Sequence, residues 1–484
     1  MQEKTYRKPS WQLSLVPIVA LVAIMFLVIK VFGADALGGA SQLSLILSAG
    51  IGIALALLVC RCPWKDIETA VTDNIREIAT GILILLMIGM IGGTWMVSGI
   101  VPTMIYYGLK VISPAIFLFA VCLICAIVSV VTGSSWTTVA TIGVAMIGIG
   151  SALGYNGAWT AGAIISGAYF GDKISPLSDT TVLASSCADV PLFTHIRNMM
   201  ITTVPSFAIA AIIFLVVSIT HTDAGAAQAD MTAEVLQKTF NISPWLMVVP
   251  LFTGFLIYRR MPAFITLLLS SLAACIAAFV AQPHLIAEIA GSAGSAPDFQ
   301  TGLRGIMITC FGSTSIQTGE EAINALISTR GINGMMPTIL LVICAATFGG
   351  VLRGSGMIQS ITEALTRGIR SRTGMVASTV ATGAISNLTT GDQYLSIILT
   401  CNLFKKLYGS RGYENKLLSR SVEDSATVTS VLIPWNSCGM TQSTVLHVAT
   451  LEYLPFCFFN ILSPLMSILI AATGYKIVKK EGQE

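Results

Sequence analysis

The chain has 484 residues, 54% of them hydrophobic and only 11% charged, where a soluble domain carries about 25% charged residues. A soluble globular protein is thereby excluded, and most of the chain belongs in a bilayer. The net charge of +3 is too small, and the basic residues too dispersed among short loops, for a nucleic-acid-binding surface.

In chain order, Arg7 and Lys8 precede a first apolar run at 12–32. At roughly 20 residues it exceeds a signal-peptide core and predicts a first transmembrane helix. Runs of spanning length follow at 42–60, 80–98 and 199–219, then at 243–258, 262–281, 336–352 and 440–470. Shorter, interrupted runs lie between them, at 114–131, 136–150, 157–170, 375–387, 393–404 and 426–435. The predicted interruptions are Thr132–Ser135, Gly171–Ser178, Asn387–Asp392 and Glu423–Thr427. Backbone that leaves a helix at membrane depth must be shielded by protein or line a watery cavity, so these places mark a site rather than surface loops. Segments 64–78 and 317–330 are more polar and read as amphipathic surface arms. The 11 cysteines are scattered through apolar segments; Cys60/Cys62 and Cys122/Cys125 read as inert buried thiols.

The two halves echo each other. Gly92-Gly93-Thr94-Trp95-Met96-Val97-Ser98-Gly99 reads like Gly349-Gly350-Val351-Leu352-Arg353-Gly354-Ser355-Gly356, an offset of 349 − 92 = 257. At that offset Thr132-Gly133-Ser134-Ser135 falls opposite Thr389-Thr390-Gly391-Asp392, and the stretch from Gly171 to Thr181 meets that from Ser421 to Ser430 after a small deletion. Duplicated halves with matched interruptions point to a secondary transporter binding near the bilayer midplane. Loop charge sets the orientation: Arg61, Lys65, Arg259, Arg260, Arg367, Arg370 and Arg411 share the cytoplasmic side if the interrupted runs are hairpins. The expected fold is an all-α polytopic membrane protein of two inverted-topology repeats, with broken transmembrane helices and re-entrant hairpins. The first repeat is 1–220, with a hairpin at about 114–150 and a broken helix at about 157–190. An extracytoplasmic linker, 221–242, leads to the second, inverted repeat, 243–484, with a hairpin at about 375–404 and a broken helix at about 415–436. Both termini are then cytoplasmic, in the inner (plasma) membrane of a bacterium.

Five acids occupy the interruptions: Asp172, Asp179, Asp392, Glu423 and Asp424. A carboxylate near the bilayer centre costs at least about 2.5 kcal/mol on insertion scales, so an intramembrane one is a functional hypothesis. The alternative is a helix cap at the interface, which suits Asp179 ahead of Thr180. Hydroxyl and amide oxygens cluster around these acids: Ser134, Ser135, Thr137, Ser175, Asn387, Thr389, Thr427 and Asn436. Hard cations want several such oxygens, whereas half-helix N-termini would favour an anion, so one architecture serves either. Lys173 is expected to pair with Asp172 and let both be buried. His195 reads as a surface residue of a short cytoplasmic loop. Nothing resembles a phosphate loop, a zinc-ligand set or a catalytic triad, so the expectation is a transporter without cofactors, not an enzyme.

With these segments in view, the chain resembles the NhaC-type sodium/proton antiporter family, within an ion-transporter group that includes malate/lactate-type sodium antiporters. The residues carrying the resemblance run from Gly167-Ala168-Tyr169-Phe170-Gly171-Asp172 through Lys173-Ile174-Ser175-Pro176-Leu177-Ser178 to Asp179-Thr180-Thr181. Glu423-Asp424-Ser425-Ala426-Thr427, Pro434-Trp435-Asn436 and Gly133-Ser134-Ser135-Trp136 add to it. The resemblance implies sodium-linked antiport, with sodium ions and protons as cargo. The acids themselves suggest sodium at Asp172, Asp424 and Asp392, as transported substrate, with Ser134, Ser135, Thr389 and Asn436 as neutral ligands. Partners are then sodium, protons and the lipid bilayer; a small carboxylate and a homodimer stay open. The second reading is a sodium- or proton-coupled organic anion exchanger, with tips 133–135 and 389–391 holding the anion. The excess of acids over bases at the interruptions favours the cation.

Overall fold

The computed structural model describes residues 7–32, 39–220, 226–292, 298–366, 369 and 371–477. Arg367, Arg370 and both chain ends, on which part of the orientation argument rests, lie outside the described residues. Among the described residues eight helices are long and apolar enough to cross a membrane, or up to ten if two bent pairs are each one span.

The first half contains α1 (Trp11–Phe32), α2 (Ala40–Ala54), α3 (Trp64–Val97) and α4 (Ile100–Val111). Next come α5 (Phe117–Thr132), α6 (Ser135–Ala152, through a π turn at Val139–Gly143), α7 (Gly157–Ile174), α8 (Asp179–Cys187) and α9 (Leu192–Thr220). The connection carries α10 (Ala226–Thr239). In the second half lie α11 (Val248–Tyr258), α12 (Ala263–Ala281), α13 (Pro283–Ile289), α14 (Phe299–Phe311), α15 (Glu321–Ile327) and α16 (Met336–Gly354). These are followed by α17 (Met357–Thr366), α18 (Arg372–Thr390), α19 (Gln393–Ser410), α20 (Asn415–Val422), α21 (Ser437–Leu446), α22 (Thr450–Tyr453) and α23 (Phe458–Thr473).

Several sequence boundaries are corrected. The polar segment 64–78 and the run 80–98 form one 34-residue helix, α3, because Pro63 starts it and no proline interrupts it. The run 440–470 is three pieces: His447 adopts a left-handed conformation (φ 55°) after α21, and α22 and α23 meet at a 57° bend beside Pro455. Asn387–Thr390 stay helical, so that interruption is confined to Gly391 and Asp392. Glu423–Thr427 is no break but a π turn that prolongs α20, and the chain leaves the helix only at Ile433–Asn436, around Pro434. Gly171–Ile174 likewise stay helical, leaving Ser175–Ser178 as the break.

These boundaries reset the alignment of the halves. Left-handed Gly133 (φ 66°) ends α5 as left-handed Gly391 (φ 67°) ends α18, and 391 − 133 = 258. The same spacing relates Pro176 to Pro434 and the first residues of α7 and α20 (415 − 157 = 258), without a deletion. It also relates hydrogen bonds. Ser129 Oγ donates to the Ala168 carbonyl at 2.6 Å, and Asn387 Nδ2 to the Ala426 carbonyl at 2.6 Å.

Close packing explains the glycines of the first motif. A Cβ on Gly167 would stand 2.1 Å from the Cys122 carbonyl oxygen, and one on Gly171 2.3 Å from that of Ala126. Two glycines four residues apart thus let α7 lie backbone to backbone on α5, running in the same direction. In the second half the small residue sits on the partner helix: Gly383 of α18 meets Ser425. The ends of each interrupted pair meet. Tyr155 Oη donates to the Pro114 carbonyl at 2.9 Å, and Arg411 Nη2 to the Ile369 carbonyl at 2.7 Å. α9 runs along α20, with His195 on Ser419 and Thr202 on Asp424. It runs against α7, since Phe207 stacks on Phe170 while Ser218 reaches Leu118 and Tyr155.

Candidate functional site

Each α5–α6 or α18–α19 tip packs on the break of its own half. At the first tip, the Ser134 hydroxyl accepts from Thr137 N at 3.2 Å and caps α6. Gly133 must be glycine there: beyond its positive φ, a Cβ would fall 2.7 Å from the Leu177 backbone in the Ser175–Ser178 break. The contact brings Asp172, on the last turn of α7, to the start of α6. Asp172 Oδ2 accepts from Ser135 N at 3.1 Å and from Ser135 Oγ at 2.7 Å, in a setting only 5% exposed. Charge-assisted bonds and the positive helix end both favour a carboxylate. Ser175 Oγ is spent on the Val130 carbonyl (2.7 Å) and ties the break to α5.

The second tip repeats the plan with the acid moved onto the tip itself. Asp392 caps α19, accepting from Tyr394 N (2.9 Å) and Leu395 N (3.1 Å), and Ser437 Oγ donates to its other oxygen at 3.2 Å. The break answers with Ser437 N on the Gly391 carbonyl (2.7 Å) and Trp435 Nε1 on the Leu388 carbonyl (2.9 Å). Asn436 caps α21 through Cys438 N and donates to Asn387.

Between the halves lies a third group. Lys173, wholly buried, pairs with Asp424 of the π turn rather than with its neighbour Asp172, and also donates to Ser463 Oγ at 2.9 Å. The pairing follows from helix geometry, since residues 172 and 173 point about 100° apart. Thr202 and Ser463 donate to the same Asp424 oxygen at 3.0 and 3.2 Å, while Oδ2 has no partner among the described residues. Glu423 is wholly buried, beside Lys173, Thr427, Asp172 and Thr180. Arg420, one turn before Asp424, is also wholly buried, and its three guanidinium nitrogens lack hydrogen-bond partners among the described residues.

The nominated residues therefore separate. Asp172, Ser134, Ser135, Thr137 and Ser175 gather at the first tip; Asp392, Asn387 and Asn436 at the second; Asp424, Glu423 and Thr427 at the contact between halves. The three carboxylates nominated for sodium do not converge on one point, and no group of three His, Cys, Asp or Glu side chains suited to a metal ion occurs among the described residues. Asp179 is exposed on the first turn of α8, behind the Ser178 cap. Thr389 spends its hydroxyl within its own helix, on the Ile385 carbonyl (2.9 Å). Sequence reasoning missed Arg420, Thr202 and Ser463, and misplaced His195: wholly buried, it contacts Ser419 Oγ through Nδ1 at 2.8 Å. The start of α9 at Leu192 carries it inside.

The model of the Na+/H+ antiporter family matches residues 2–188 and 167–475. The chain is 39% identical over 421 residues to the Na(+)/H(+) antiporter NhaC of Alkalihalophilus pseudofirmus, covering 87% of this chain and 88% of that protein. It is 37% identical to the Na(+)/H(+) antiporter NhaC of Bacillus subtilis, covering 84% and 87%. To the Malate-2H(+)/Na(+)-lactate antiporter of Bacillus subtilis it is 34% identical, covering 90% and 89%.

Proposed function

The chain belongs to the Na+/H+ antiporter family, and from that premise we propose how its buried carboxylates exchange one ion for the other. It is a multi-pass membrane transporter that trades sodium for protons. Sodium binds at Asp172 beside Ser135 at the first tip, and Asp392 offers a position at the second tip. One observation carries this reading: acids from both halves lie buried at matched helix interruptions, where burial penalises the ionised form. A carboxylate so placed favours either sodium or a proton over standing empty and charged. The halves work as inverted repeats, with 114–155 and 369–411 as re-entrant hairpins. In support, α7 and its counterpart α20 run in opposite directions, and each hairpin returns to where it began. Rocking one half against the other would open the acids to each face in turn. The orientation assigned is an inner membrane with both termini cytoplasmic.

Proteoliposomes with an internal pH dye, challenged in turn with sodium, lithium, potassium, malate and lactate, provide the test. Sodium-driven proton movement without a carboxylate is the expected result. A response that needs malate or lactate would replace it with the organic anion exchanger. Arg420 is the observation favouring that second reading, because an unpartnered buried guanidinium suits a carboxylate ligand.

A further inference from the structure

We infer that Cys275 and Cys310 are the site of a reversible disulfide, closed from the lipid side by a membrane-soluble quinone. Eight of the 11 cysteines are buried, and only Cys187, Cys275 and Cys310 are half-exposed. Two of these three touch: Cys275 Sγ on α12 lies 3.6 Å from Cys310 Sγ on α14. The contact belongs to the fold and not to one pair of rotamers. Counting back by 258, Cys275 stands opposite Pro17 and Cys310 opposite Gly52, and that pair joins α1 to α2 in the same manner. A Cβ on Gly52 would lie 3.8 Å from Pro17 Cβ. The two Cβ atoms of a disulfide are separated by about 3.8 Å. The second half therefore carries its two cysteines where the repeat brings neighbouring helices to disulfide distance.

The surroundings select the oxidant. Ile276 and Val280 on α12, and Met307 and Phe311 on α14, are exposed around the pair. In a chain that crosses a bilayer such a face meets acyl chains, so the electron acceptor must dissolve in hydrocarbon. The step balances: two S–H bonds break, one S–S bond forms, and the two electrons and two protons reduce the quinone to its quinol. Whichever sulfur reacts first finds the second in contact, which favours the disulfide over further oxidation. A dithiol reductant restores both thiols by exchange. The bond would tie together two supports of α3. Ser270 of α12 accepts from Trp95 Nε1 at 3.1 Å, and a Cβ on Gly93 would stand 2.4 Å from the Thr309 carbonyl oxygen of α14. Linking residues 35 apart in sequence also restricts the unfolded chain, so the oxidised form should be the more stable.

The experiment uses the reduced full chain, with all its cysteines, in lipid nanodiscs. It is exposed to a fully substituted benzoquinone carrying a decyl chain or, separately and at equal concentration, to water-soluble glutathione disulfide. After quinone treatment, peptide mass spectrometry without reductant should find Cys275 linked to Cys310. Free thiols should fall from 11 to nine (11 − 2 = 9), with one quinol formed per chain. The midpoint of thermal unfolding should rise and return with dithiothreitol, while glutathione disulfide closes the bond more slowly. Cys275→Ser should lose the linked peptide, the quinol and the shift in unfolding temperature. No linked peptide, or one joining other cysteines, would overturn the assignment. Faster closure by glutathione disulfide would overturn the lipid-side oxidant, and an unchanged midpoint the stapling role. These deciding readouts come from the wild-type chain, so they stand even if the variant does not fold.

Discussion

Lys173 and Asp424 come from different halves, so deleting one leaves the other charged and buried. Lys173→Met is expected to lower stability by about 3–5 kcal/mol, and Lys173→Met combined with Asp424→Asn to recover part of that loss, because the double change removes both charges. Thermal unfolding of the single and double variants measures it; additive losses would contradict a direct pair. Asp172→Asn should stay folded, since an amide oxygen can still accept from Ser135, yet lose sodium-driven proton movement in liposomes. Wild-type exchange by that variant would remove Asp172 from the mechanism. At this scale the acids were legible, because a carboxylate in an apolar run has few bland explanations. Their partners were not. Arg420 belongs to a polar stretch, Asn415-Lys416-Leu417-Leu418-Ser419-Arg420, that has the composition of a loop. Which of two adjacent residues Lys173 would pair across is a matter of helix phase, which sequence adjacency hides.

The tips and breaks depend on glycine backbone more than on side-chain chemistry. Gly391→Ala forces alanine into a left-handed conformation, at about 1–2 kcal/mol, and sets its Cβ 2.6 Å from Ala345. Lower thermal stability and slower exchange are expected, whereas Gly409→Ala, where nothing lies within 4 Å of a Cβ, should be neutral. A labelling experiment tests the hairpins. On a cysteine-depleted background, cysteines replacing Lys110 and Ser151 should react with an impermeant thiol reagent from one face, and those replacing Lys406 and Ser410 only from the other. Labelling of the Lys110 and Ser151 positions from opposite faces would make α5 and α6 together a single crossing. The number and order of interrupted segments could be read from the sequence, since short apolar runs and Gly-rich polar stretches are strong signals. Their edges could not. Glu423–Thr427 looked like a break because it is polar, but a π turn keeps those residues helical, and Pro434 supplies the real stop.

For the molecule as a whole, sodium and protons answering to one cluster must be thermodynamically linked. In the simplest case of one displaced proton, the apparent sodium dissociation constant rises about tenfold for each pH unit below the group's midpoint, or about 1.4 kcal/mol. Calorimetric titration of sodium between pH 6 and 9 should show that slope together with proton release, because linkage is reciprocal. A flat profile would rule out a shared site. Counting by 258, Asp172 stands opposite Ser430 and Asp424 opposite Ser166, so the halves have traded acid for serine at both places. Two identical halves would give inward-open and outward-open states of equal energy. This exchange of residues lifts the degeneracy: the protein should idle facing one side, and its half-saturating sodium concentration should differ between the two faces even without a membrane potential.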